Sequence, residues 1–270
     1  MRKKTPTKAV IKRMSVLSNS YLKNNVPCMG MVLSAMPIGD YDRRVVILTK
    51  EYGKISAFAK GARRPNSALL ACSQPFTFGN FTLLQGRSSY NMVSAEISNY
   101  FTELREDLEA VSMGMYFCEF ADYYGRENVE ATQMLKLLYQ SLRALCRQTI
   151  DKRLVRYIFE QKIMAVNGEG SQVFSCVKCN EEVSCDKAHA FHVPLGGILC
   201  ENCKRQNPGS FYLSPAAIYT LQYIQASSIE KLFTFRVSEE VLEELSRLNE
   251  QYLDVYVDKK FRSLKLFEPF

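Results

Sequence analysis

The sequence predicts an α+β protein: a small N-terminal barrel of five strands, then a helical domain with an inserted cysteine-rich module. Three observations carry that expectation. Five short runs rich in Val, Ile, Phe and Tyr fall within residues 31–97. Apolar residues then recur at three- and four-residue steps, and two CxxC pairs lie twenty residues apart between Cys176 and Cys203.

The strand runs are "MVLSAMPI", "RRVVILTK", "KISAFAK", "PFTFGNFTLL" and "SYNMVSAEI". Between them stand "GDYD", "EYG", the loop "GARRPNSALLACSQ" and "QGRS", rich in the residues that make turns. Five short strands in so few residues suit a closed barrel, and the OB-fold is the commonest five-stranded one. Residues 29–105 are assigned to it.

The period changes at "NYFTELREDLEAV". Leu108, Val111, Met115, Cys118 and Ala121 mark one helical face; Leu135, Leu138, Leu142 and Leu145 mark a second; Leu154, Ile158 and Ile163 a third. Residues 106–170 form the first part of the helical domain. "NGEGSQ" breaks the pattern and opens an insert over 171–210. Helix resumes in 211–270, with Ser214 as N-cap before Pro215 and a last helix opening at Ser238, Glu239 and Glu240.

The chain has 270 residues, 47% of them apolar, enough for a sizeable core, and no apolar run reaches the roughly 18–20 residues of a membrane span. Its net charge of +7 comes from the first 30 residues, which hold seven Lys or Arg and no acid. The remainder is neutral but sorted: nine bases against five acids over 31–105, four against seven over 106–150. A basic first domain suits a polyanion partner, although such a balance is also ordinary for a solvated surface. The leader 1–28 reads as a transit segment, a polyanion-binding arm or a disordered extension with Met14, Met29 and Met31 as internal starts. The last is adopted, and the leader is left out of the fold.

The nine cysteines are an odd number without a signal-peptide core, which indicates reduced, cytosolic usage. Cys176, Cys179, Cys200 and Cys203 have the spacing of a four-sulfur zinc site, closed to chemistry and therefore structural. About 40 residues hold too little core to fold alone, so one zinc ion would stabilise the insert. Cys185, His189 and His192 lie in the same insert, and a histidine in place of one cysteine stays open.

Several motifs are absent. There is no GxxxxGK[ST], GxGxxG or HExxH, and no H-x-E ahead of a CxxC. With both histidines in the insert, a histidine-dependent triad elsewhere is excluded. These absences point away from an enzyme, with no catalytic residues assigned.

The run "KISAFAK" is more informative. With period two, Ile55, Ala57 and Ala59 face the barrel interior, while Lys54, Ser56, Phe58 and Lys60 face out. Cations beside an aromatic ring are what single-stranded nucleic acid requires: charge for phosphates, a flat face for a base. Arg63 and Arg64 extend the track, Gly61 lets the backbone turn, and Arg43, Arg44 and Lys50 join from the preceding strand, as do Arg87 and Tyr90 from the last hairpin. Lysine and arginine on an outward face are otherwise simply solvated.

Taken together, "YDRRVVILTKEYGKISAFAKGARRPNS", "QPFTFGNFTLLQGR" and "SAEI" resemble the N-terminal domain of the bacterial RecO family, and the likeness runs on through the CxxC pairs. The basic leader departs from it. The resemblance implies an OB-fold, a helical domain and a zinc-binding insert. It also implies a non-enzymatic DNA repair and recombination mediator that binds single- and double-stranded DNA and anneals strands without ATP. Its implied partners are RecR, the C-terminal tail of single-strand-binding protein and, indirectly, RecA. On this chain the DNA track falls on Arg43, Arg44, Lys54, Lys60, Arg63 and Arg64, and zinc on the four paired cysteines. Two other readings stay open: an RNA-binding barrel and zinc-ribbon protein of the translation apparatus, marked by a preference for structured RNA, and a metal-dependent hydrolase, marked by cleavage that needs added Mg²⁺ or Mn²⁺.

Overall fold

Alternation of apolar and polar side chains turns most of the chain from Asn25 to Asn99 into strands that close on themselves. The computed structural model describes residues 25–87 and 89–263; most of the basic leader, through residue 24, lies outside them. Strands β1 (Asn25–Ile38), β2 (Asp42–Thr49), β3 (Gly53–Ala59), β4 (Phe78–Gln85) and β5 (Tyr90–Asn99) form a closed barrel in the order β1-β2-β3-β5-β4. The pairs are antiparallel except β3 with β5, which run parallel through Ala57–Tyr90 and Phe58–Asn91. This is the OB-fold barrel.

The interior is small and apolar. Val32, Val45, Ile47, Ile55, Ala57, Ala59, Phe81, Leu83 and Met92 fill it, as period two predicts for β3. Helix α1 (Leu69–Cys72) adds Leu69 and Cys72, and Ala62 joins from the loop before it. The boundary expected at residue 29 falls earlier. Asn25–Cys28 already pair with Leu84–Phe81 of β4, and Cys28 is buried in the barrel.

The described residues up to Tyr100, together with Gly125–Ala131, make one compact unit; Phe101–Tyr124 and the described residues from Thr132 onward make the other. In the second, α2 (Leu108–Tyr124), α3 (Thr132–Arg147), α4 (Lys152–Val166), α6 (Pro215–Ala226) and α7 (Glu239–Tyr256) pack together. The stripes predicted for α3 and α4 are buried. That for α2 is buried only in its second half: Cys118 and Ala121 are in the core, but Leu108 is 82% exposed at the helix start, and Val111 and Met115 are half-buried. Tyr116, Phe117 and Phe120 take the core face instead, Phe117 stacking on Phe159 with centroids 4.1 Å apart. Large rings bury more apolar area than the aliphatic side chains beside them, and they set the helix rotation.

The insert, with the three residues after it, contributes a three-stranded sheet, β7-β6-β8, from β6 (His189–His192), β7 (Gly197–Leu199) and β8 (Phe211–Leu213), with a single turn α5 (Glu201–Lys204). Ser214 caps α6 as expected, its hydroxyl accepting from the Ala217 N–H at 3.2 Å. Among the described residues no helix is long and apolar enough to cross a membrane.

Candidate nucleic-acid interface and metal centre

Antiparallel pairing places directly opposed residues on the same face of a sheet. Met36 of β1 pairs with Arg44 of β2, and Arg44 pairs with Phe58 of β3, so an apolar side chain, a guanidinium and a ring stand in one row on the barrel exterior. Arg44 is held there by a 2.8 Å bond from its Nε to Ser56 Oγ. Lys54 lies on the same outward face of β3, and exposed Lys60 follows the strand's other end. At about 3.3 Å per residue these two lysines are roughly 20 Å apart.

The loop after β3 is fixed to the β1–β2 turn. Gly61 adopts φ +67°, open to glycine at little cost, and its N–H donates to Asp42 Oδ1 at 2.7 Å. The Arg63 N–H donates to the Tyr41 carbonyl at 2.8 Å and its Nη1 to the Gly39 carbonyl at 3.0 Å, while the Arg64 guanidinium lies 5.0 Å from the centroid of the Tyr41 ring. Both arginines are exposed. Among the described residues, no carboxylate forms an ion pair with Arg44, Lys60, Arg63 or Arg64. These four cations are therefore available to an outside anion.

Other predicted members stand apart. Arg43 is one residue out of phase with Arg44: it pairs with Ala59, whose side chain is in the core, and its Nη1 donates to Leu70 O at 2.9 Å and Ser73 Oγ at 2.8 Å. It braces the α1 segment. Lys50 is exposed just past β2, toward the Lys54 end. Arg87 and Tyr90 line a polar pocket of about 210 Å³ with Ser56, Gln85, Gly86, Ser89 and Glu127. Tyr90 offers no ring for stacking: it is 9% exposed and belongs to the barrel core, because the closing pair with Ala57 turns it inward. The sequence reading missed Met36 and Tyr41. The alternation that orients β3 would have placed Met36 outward had it been extended across the pair; nothing local marks Tyr41.

The sulfurs of Cys176, Cys179, Cys200 and Cys203 lie within 4.8 Å of one another, Cys179 and Cys200 at 3.6 Å. Four thiolates at about 2.3 Å from a tetrahedral zinc ion stand roughly 3.8 Å apart, so the residues fit that metal. Burial pushes the Cys176 thiol up, but N–H groups of Cys200, Cys179 and Lys178 aimed at its sulfur outweigh this and bring it down to about 6. Burial and the neighbouring sulfurs push Cys203 up to about 12, a repulsion that a dication would relieve. The histidines are occupied elsewhere. His189 Nε2 lies 2.9 Å from Ser184 O, and His192 Nδ1 accepts from the Leu195 N–H. Cys185 is not in the cluster.

A five-stranded barrel with unpaired cations outside, joined to a helical unit carrying a four-cysteine cage, defines an OB-fold protein with a metal-binding insert. Sequence comparison narrows this. The family description "Recombination protein O N terminal" matches residues 24–101, and "Recombination protein O C terminal" matches residues 105–265. The chain is 32% identical over 245 residues to the DNA repair protein RecO of Acetivibrio thermocellus, covering 91% of this chain and 95% of that one. To its namesake in Alkaliphilus metalliredigens it is 32% identical over 238 residues, 88% and 96% of the two chains. That of Bacillus pumilus is 30% identical, with 87% and 91% covered. The chain belongs to the RecO family of DNA repair proteins, which is not an enzyme class.

Proposed function

We propose that this chain is a recombination mediator that binds single- and double-stranded DNA and anneals complementary strands without ATP on the exterior of its barrel. The observation that carries the reading is the group Arg44, Lys60, Arg63 and Arg64, exposed and without carboxylate partners among the described residues, beside Lys54 and Phe58. Cations on this face neutralise phosphates of two strands and weaken their mutual repulsion, so that complementary bases meet. Nothing in that action consumes a nucleotide, in keeping with the missing phosphate-binding loop.

One structural zinc ion on Cys176, Cys179, Cys200 and Cys203 would hold the insert and take no part in chemistry. The partners that fit a mediator of this family are RecR, the C-terminal tail of single-strand-binding protein and, through them, RecA; the setting is the bacterial cytoplasm, at the nucleoid. The test is annealing of two labelled complementary strands without ATP across a salt series, with a variant carrying Glu at positions 60, 63 and 64. The expected result is annealing that fades with salt and disappears in the variant. Annealing by the variant at the wild-type rate would refute the placement, and none by the wild type at any salt would refute the function.

A further inference from the structure

The β1–β2 hairpin carries apolar surface that phosphate neutralisation does not use. Met36 is 65% exposed, Tyr41 51% and Ile38 39%, all within six residues. Met36 and Ile38 share a face by period two, and Arg44 stands directly across from Met36. Exposed apolar groups in such density, rimmed by cations, mark a contact surface rather than a stability device.

Tyr41 is held in place by the loop after β3. Its carbonyl takes the Arg63 N–H, the carbonyl of Gly39 takes the Arg63 guanidinium, and Asp42 is tied to the Gly61 N–H. The Arg64 guanidinium lies over the ring, yet half the residue's surface remains open. A cation on a ring leaves the other side for a flat π-system, and Arg63 and Arg64 stand where the phosphates flanking that group would pass. Asp40, also exposed at this turn, would repel a backbone on its own side, so the strand must run over the arginines.

We propose that Tyr41, backed by Arg64 and close to Arg63, is a stacking platform for an unpaired nucleobase. This deepens, and rests on, the nucleic-acid reading of the barrel. In a duplex both faces of each base are already stacked, so the platform favours single strands. Phosphate contacts from Arg44, Lys60, Arg63 and Arg64 serve either form.

The chain has no tryptophan, so Tyr41→Trp introduces a single indole that keeps a flat ring at this position. The experiment titrates the full-length protein with a mixed-sequence single-stranded oligonucleotide and with the matching duplex. Indole emission and the anisotropy of labelled DNA are the readouts. Expected are quenching by the single strand, a loss of about tenfold in single-strand affinity for Tyr41→Ala, and an unchanged salt slope. Duplex affinity should stay within about twofold, and Tyr41→Phe should bind single strands as wild type does. If wild type binds but the indole ignores saturating single strand, or Tyr41→Ala weakens both forms equally or neither, the platform is refuted alone. If wild type binds neither form, the nucleic-acid reading falls, and the platform with it.

Discussion

A Cβ on Gly53 would lie 2.0 Å from the carbonyl oxygen of Arg126 and 2.3 Å from that of Val129. Gly53 also sits at φ +65°, at the turn where β3 begins. The segment Gly125–Ala131 is laid along this turn like an extra strand: Lys54 N–H donates to Arg126 O, Asn128 N–H to Tyr52 O and Ala131 N–H to Lys50 O. The contact demands both a left-handed backbone and no side chain.

Gly53→Ala is therefore expected to destabilise the barrel by on the order of 3 kcal/mol or more, from backbone strain and overpacking together. Urea unfolding followed by barrel signals checks this. A loss under about 0.5 kcal/mol, the range of an ordinary surface change, would mean that the segment moves aside freely.

Arg43 and Arg44 are neighbours whose side chains go to opposite faces of β2. Arg43→Ala removes two bonds from a charged donor to the α1 segment and should lower stability by about 1.5–3 kcal/mol, leaving the salt dependence of DNA binding unchanged. Arg44→Ala should leave stability nearly intact and reduce the magnitude of the salt slope for single strands by about 0.7, the share of one phosphate contact. Melting curves and salt titrations on both variants separate them. Equal effects would show that the alternation of β2 does not sort their roles.

That pair also shows how much was legible in the sequence. Period two oriented Lys54, Ser56 and Phe58 correctly because each signal lies within one strand. Carrying it to β2 would have separated Arg43 from Arg44, as the register Arg43–Ala59 and Arg44–Phe58 does. Other features depend on contacts distant in sequence. Cys28 is in the core because β4 lies beside it, Tyr90 turns inward because the barrel closes at Ala57, and Gly125–Ala131 joins the barrel through bonds to the β2–β3 turn. The four cysteines were legible because metal geometry fixes their spacing locally, whereas Leu108 was misplaced because three rings further along the helix compete for the same core.

The N-terminal end of α2 is tied to that of α4 by Lys152, whose ammonium reaches Asp107 Oδ2 at 2.5 Å and Glu109 Oε2 at 2.7 Å. The hydrogen bond from Lys152, aided by the Ala110 N–H, holds the Asp107 carboxyl below its ordinary range. Its folded pKa is then lower than its unfolded value of about 4. The stabilisation is complete above that value and is lost as pH falls through the folded one. Asp151, bonded by Arg153, behaves in the same sense. Asp107→Asn should flatten the fall in stability between about pH 5 and pH 3. Parallel stability curves for variant and wild type would assign the acid sensitivity elsewhere.

Among the described residues, Cys176, Ala190, Leu199 and Cys200 form the buried cluster around the sulfur cage, with Val177, Leu195 and Cys203 packed against it, and Val173, Val183, Phe191, Val193 and Ile198 are buried elsewhere in the insert. So few apolar groups cannot offset the entropy of ordering some 40 residues, at roughly 1–2 kcal/mol per residue. A structural zinc ion contributes on the order of 10 kcal/mol, enough to make folding of the insert conditional on metal. The purified protein is expected to carry one zinc ion per chain. Cys200→Ser, or a strong chelator, should release it and open residues 171–210 to proteolysis. The barrel, built on a separate core, should keep its single-strand affinity. Limited proteolysis with metal analysis and DNA titration on the same samples checks all three. An insert equally resistant without metal would mean that packing against the helices, through Phe191 and Tyr252 among others, holds it. A barrel that lost affinity with the zinc would mean that the two units are energetically coupled.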